Sequence, residues 1–175
     1  QSRGLGDVYK RQGDHTAVSY RNIVLTPVVK TPTVSNADWP QAAGPDGNFI
    51  VQGQAPTDFS GATGKNVKWR VPLPNTGQSA AIVSGGRIFV TSHEPIEADT
   101  EFGTSILGMC FDARTGKELW RRPIPGTRTT DLSSLFNDNT ASSPVADGKR
   151  VVFTNVGGTI KCFDHDGNEL WTHTW

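Results

Sequence analysis

The sequence predicts an all-β chain of repeated four-stranded antiparallel units, stacked as an incomplete β-propeller, and three observations lead there. Trp69, Trp120 and Trp171 stand at one fixed interval of 51 residues. Each lies in a similar phrase: VKWRVPLP, ELWRRPIP and ELWTHTW. Nineteen glycines and eleven prolines punctuate short runs of Val, Thr, Ile and Phe, which favours strands joined by tight turns over amphipathic helices. A unit of about 50 residues cannot bury its own apolar face and must stack on a neighbour.

The elements follow in chain order. Ser2–Gln12, SRGLGDVYKRQ, resembles the in-frame translation of a transposase adapter used to build sequencing libraries, so residues 1–12 are set aside from fold reasoning. In Gly13–Val28, Val18, Tyr20 and Asn22 alternate with Ser19, Arg21 and Ile23 until Pro27 stops the pairing, the pattern of a final strand. Its phrase GDHTAVSYRNIVLTPV is similar to the closing strand of 3-keto-disaccharide hydrolase domains, which implies a lost upstream β-sandwich. Residues 29–37 read as a polar linker, with neighbours of Pro27 and Pro32 held extended. The chain is therefore expected to be a fragment, lacking its natural N-terminus and any signal peptide. Trp175 falls inside a strand pattern, so the C-terminus is expected to be lost as well.

Residues 38–175 read as the N-terminal part of the propeller. Asn66–Leu73 supplies an outer strand, placed to complete the blade that closes the ring and so removes open edges. The first blade, residues 79–124, reads as strands Ser79–Val83, Arg87–His93, Ser105–Asp112 and Lys117–Pro123. The second, residues 142–175, repeats them as Ser142–Ala146, Arg150–Val156, Thr159–Asp164 and Asn168–Thr174. Each is a four-stranded meander, the blade of a propeller. The last hairpins use two turn chemistries. Gly116 in DARTGKE supplies the positive φ of a longer turn, and Asp166-Gly167 in DHDGNE suits a two-residue primed turn. Asp112 and Asp164 precede these turns and can accept hydrogen bonds from the turn amides.

CFDARTGKELW (Cys110–Trp120) and CFDHDGNELW (Cys162–Trp171) resemble the tryptophan-docking repeat of the pyrroloquinoline quinone (PQQ)-like β-propellers, whose pattern runs small-x-Asp-x-x-Thr-Gly-x-x-x-Trp. The second copy lacks one turn residue and carries Asp-Gly for Thr-Gly. ADWPQAAGPDGN followed by KNVKWRVPLP is also similar to the start of such proteins, and the resemblance covers about Trp39 to Trp175. It implies a quinoprotein-alcohol-dehydrogenase-like propeller. Its structural docking motif falls on Trp69, Asp112, Gly116, Trp120, Asp164, Gly167 and Trp171. Each indole is expected to wedge between blades over the flat peptide of a glycine turn, burying roughly 150–250 Å².

Other chemistries find little support. The 17 basic and 17 acidic residues cancel and form no block of one sign, which argues against nucleic acid and anionic membranes as partners. No apolar stretch approaches the roughly 20 residues of a membrane helix. Cys110 and Cys162 occupy matching places in successive units, too far apart to pair, and read as free and buried. His15, His93, His165 and His173 lack zinc-site spacing. DHDGNE puts its glycine at the fourth place and reads as a hairpin rather than a calcium loop. GATGK lacks the earlier glycine and the Ser or Thr of a phosphate loop. No Gly-x-Ser-x-Gly elbow presents a serine. The polar stretch Thr127–Ser143 is the best candidate for a ligand-facing loop, with a solvated interblade connection as the simpler reading.

Three functions remain. The first is a non-catalytic propeller, periplasmic or secreted, that binds a protein or carbohydrate partner or scaffolds an assembly, with no cofactor and no catalytic residue assigned. The second, from the resemblance, is a quinoprotein dehydrogenase using PQQ and calcium, although the adjacent-cysteine pair of such enzymes is not in this sequence. The third is an accessory propeller of a polysaccharide-processing protein, suggested by Gly13–Val28. In each, the remaining blades of the parent chain are partners of the two present here, and the isolated pair is expected to self-associate through uncovered sheet faces.

Overall fold

The computed structural model describes residues 38–50, 58–95, 105–127 and 139–175. All belong to one compact unit, Pro32–Trp175, and the other unit, Gln1–Thr31, contains none of them. The expectations for residues 1–12, 13–28 and 29–37, and for most of Thr127–Ser143, lie outside the described residues. Among these there is no helix.

Eight strands form two meanders. The first contains β1 (Ile82–Ser84), β2 (Arg87–His93), β3 (Ile106–Asp112) and β4 (Glu118–Ile124). The second contains β5 (Val145–Ala146), β6 (Arg150–Asn155), β7 (Thr159–Asp164) and β8 (Glu169–Thr174). Each sheet is antiparallel in sequence order. The expected strands are all present, but the first of each set is shorter than its run of β-forming residues. The Ser79 hydroxyl takes the Thr91 amide and Ser143 takes the Ala80 amide, so the β1 ladder starts only at Ile82. Pro144 has no N–H to give, so β5 starts at Val145.

Asn66–Leu73, expected as an outer strand, forms no ladder with any described residue. An outer strand needs an inner one beside it, and none is described there. The free edges of β1 and β5 are covered instead by Asp38–Pro40. Trp39 exchanges both backbone hydrogen bonds with Val83 at 2.8 Å, and the Pro40 carbonyl accepts from the Ala146 amide at 2.8 Å. One short segment thereby blunts two sheet edges.

Strand alternation gives each sheet two faces. The front face of the first carries Ile82, Phe89, Ile106, Cys110, Trp120 and Ile124, which pack with Val151, Phe153 and Phe163 from the back face of the second. This seam is aromatic: Phe153 meets Phe89 and Trp120 edge-on at 6.4 and 6.1 Å between centroids. The back face of the first sheet buries Leu107, Met109 and Phe111, with Val71 from the Asn66–Leu73 stretch packed on them. That stretch therefore covers a blade face without joining a sheet.

Gly108 lies on the front face of β3 between Ile106 and Cys110. A Cβ there would stand 3.1 Å from Phe153 Cγ and 3.2 Å from Ile124 Cδ1. Gly108→Ala is expected to cost about 1–3 kcal/mol through overpacking, more than alanine recovers in backbone entropy. Urea-denaturation midpoints measure it, and a neutral or stabilising alanine would show slack in the seam.

Candidate functional site

The sequence places a tryptophan, an aspartate and a glycine at each repeat, and the fold joins them across blades. Asp112 closes its turn with one carboxylate oxygen, accepting from the Arg114 and Thr115 amides at 3.1 and 2.7 Å and from the Thr115 hydroxyl at 2.6 Å. Asp164 accepts from the Asp166 and Asn168 amides and from the Asn168 side chain, each at 2.9 Å. Hydrogen bonds to the ionised form hold both carboxyls below the usual range, those from the Thr115 and Asn168 side chains contributing most. These aspartates fix turns.

The two turns end in buried glycines with left-handed backbone, Gly116 at φ 74° and Gly167 at φ 84°. The second turn differs in type from the primed turn expected for Asp166-Gly167. That type needs positive φ at both central residues, and Asp166 does not have it. Gly167 N–H bonds Asp164 O at 3.1 Å, and Asn168 O accepts from Asp164 N at 3.0 Å, giving a three-residue loop with glycine last.

Onto each glycine a tryptophan is laid. A Cβ on Gly167 would lie 2.8–2.9 Å from three atoms of the Trp120 indole, and one on Gly116 would lie 2.6–2.9 Å from three atoms of Trp69. Only glycine permits these contacts. Each indole N–H is satisfied by the carbonyl of the residue after the aspartate: Trp120 donates to His165 O at 2.9 Å and Trp69 to Ala113 O at 3.1 Å. Trp120 is 7% exposed. Trp171 pairs with Cys162 in β8 as Trp120 pairs with Cys110 in β4, yet it is 45% exposed. The structure thus brings Trp69 to Gly116 and Trp120 to Gly167, and it brings no described glycine turn to Trp171.

What aims the indole is a β-bulge the sequence reading missed. The β3–β4 register steps between Cys110, opposite Trp120, and Phe111, opposite Glu118, leaving Leu119 as the extra residue. Leu170 takes the same place in β8. In unbroken register Trp120 would face Met109 and point to the back of the sheet, because a one-residue slip exchanges faces. The repeated Glu-Leu-Trp was the available signal. Also missed were Arg122, which donates to Gly167 O at 2.9 Å with its guanidinium 5.9 Å from the Trp120 ring, and Asn155. Buried Asn155 donates to Ile124 O at 2.7 Å across the seam while accepting from Gly157 N.

Residues 102–175 match a family model described as outer membrane protein assembly factor BamB, of the PQQ-like repeat type. This stretch is a PQQ-like propeller repeat. The two meanders are accordingly four-stranded blades of an incomplete β-propeller. No curated protein matches the chain.

A PQQ–calcium pair would need several oxygen ligands converging on the metal. Among the described residues no group of three or more His, Cys, Asp or Glu converges in that way. The Asp112 and Asp164 carboxylates are spent on their own turns, and Glu118 and Glu169 are paired with Arg121 and Lys161. The described part of these blades does not fit the group. Cys110 and Cys162 are free and buried, and burial pushes the Cys110 thiol up to about 12, far from a reactive thiolate. In GATGK, Lys65 pairs with Asp58 and Gly64 N–H closes a turn onto Ser60 O.

Trp120→Ala removes both the wedge and the partner of a carbonyl, and is expected to cost roughly 3–5 kcal/mol. Chemical denaturation checks this, and a loss under about 1 kcal/mol would show that the indole bears little of the interblade load.

Proposed function

We propose that this chain belongs to a non-catalytic PQQ-like propeller that serves as a binding or assembly scaffold for a protein partner, in the periplasm or outside the cell of a bacterium. The observation that carries the reading is where the motif's polar groups are spent. Asp112 and Asp164 hold turn amides, both docked indoles hold carbonyls of the next turn, and Arg122 holds the Gly167 carbonyl. A site that builds rigid joints from its carboxylates and aromatics suits a scaffold better than turnover. The name of the matched family, an outer membrane protein assembly factor, supports a protein partner and a place outside the cytoplasm. Among the described residues no helix is long and apolar enough to cross a membrane.

Within this reading, Trp69, Asp112, Gly116, Trp120, Asp164, Gly167 and Trp171 form one docking motif repeated along the ring. Trp171 is the copy that receives the glycine turn of a further blade of the parent chain, and Asn66–Leu73 is the outer strand of the blade that closes the ring. A carbohydrate partner would call for aromatic platforms free of blade contacts, whereas Trp69 and Trp120 are committed to glycine turns.

Calorimetric titration of the chain with PQQ in the presence of calcium, with melting followed in parallel, tests the non-catalytic assignment. No saturable heat and no shift in Tm are expected. Saturable binding that raises Tm would favour the dehydrogenase instead.

A further inference from the structure

One titratable side chain reaches across the seam from the turn that carries the Trp120 contact. His165 follows Asp164 in the β7–β8 turn and reaches back to the first blade. Its ring lies tilted against Phe89, 5.2 Å between centroids, and abuts the β1–β2 turn, where a Cβ on Gly85 would be 3.2 Å from both Cε1 and Nδ1. Its Nε2 is buried without a hydrogen-bond partner. The Ser84 hydroxyl, on the same face of β1 as Ile82, is also buried without a partner. The seam thus carries two unsatisfied polar atoms, each of which weakens it.

The charges facing the imidazole come from every element around it. Arg87, cross-strand partner of Ser84, reaches over the seam to Asp166 at 2.8 Å. Asp166 lies on the histidine's own turn, Asp147 on the β5–β6 turn, and Asp38 ahead of β1, where its carboxylate accepts from Gly85 N. The buried Cys110 thiol nearby stays protonated throughout the neutral range. Burial and the Arg87 cation together outweigh the three carboxylates and hold the imidazole below its ordinary value.

We propose that the joint between the two blades is a pH-responsive latch, closed while His165 is neutral and loosened when it takes a proton. In the cation both ring nitrogens carry a proton, so Nε2 holds an N–H with no acceptor, and a second cation stands beside Arg87 in the seam. Any shift of the turn to relieve this moves the His165 carbonyl, which is the acceptor for the Trp120 indole. A proton at one end of the turn therefore acts on the wedge at the other. The sign follows from linkage: with the folded value depressed, the unfolded chain binds more protons in mildly acidic solution. Stability is full above the unfolded value of about 6.5 and falls as pH drops below it.

Urea unfolding of the full 175-residue chain between pH 8 and pH 5 tests this, beside His165→Phe, which keeps a ring on Phe89 but cannot titrate. In the natural sequence the unfolding constant should rise below about pH 6.5, by at most about tenfold per pH unit, and the variant should lose that component. An identical pH profile in the two would overturn the proposal. Should the variant fail to fold, NMR titration of the His165 Cε1 proton in the natural chain decides. A midpoint below the ordinary histidine value supports the latch, and one at or above it refutes it.

Discussion

The blades are held together by a flat contact that tolerates no side chain on one of its partners. An indole is the largest apolar surface a residue can offer, and it loses much of its value in a seam if its N–H goes unpaired. In the Trp120–Gly167 and Trp69–Gly116 contacts both requirements are met by a single turn. The glycine gives the ring a bare peptide to lie on, and the residue after the aspartate turns its carbonyl to the N–H. The aspartate keeps that carbonyl in place by tying the turn amides together.

Direction along the chain comes from the bulges. With Leu119 extruded, Trp120 joins Cys110 on the front of its sheet while Leu107, Met109 and Phe111 remain on the back. Each of the two described blades then has a front that carries an indole and a back that carries the glycine turn beside Phe111 or Phe163. In the described seam the indole of one blade meets the turn of the next in sequence, a contact that can be repeated along a chain of such units. Asn155 and Arg122 add polar ties whose strength depends on burial by the aromatic cluster around Phe153.

Much of this was legible in the sequence because the docking residues are chemically unusual. A tryptophan, a turn aspartate and a glycine recurring in step leave few structural explanations, and the meanders followed from the runs between them. The remainder depended on groups distant in sequence. That Leu119 and Leu170 are extra residues is visible only against β3 and β7. The brevity of β1 rests on the Ser79 and Ser143 hydroxyls taking amides from the ladder, and Pro144 was the one local sign for β5. The turn at Asp166-Gly167 departed from its dipeptide preference because Asp164 ties the turn amides and glycine alone takes the left-handed position. His165, scattered among four histidines in the sequence, gained its role only when the fold set it on Phe89 and Gly85.

The indole-on-glycine contact is tested most directly by a double-mutant cycle between Trp120 and Gly167, with unfolding free energies of the natural chain, Trp120→Ala, Gly167→Ala and the double variant. If the ring lies on the glycine, the alanine methyl at 167 collides with it only while the ring is present. The cost of Gly167→Ala should therefore fall in the Trp120→Ala background to that of backbone strain alone, a coupling on the order of 1–3 kcal/mol. Strict additivity of the two substitutions would mean that the indole does not rest on that turn, and the account of how the blades are joined would be wrong.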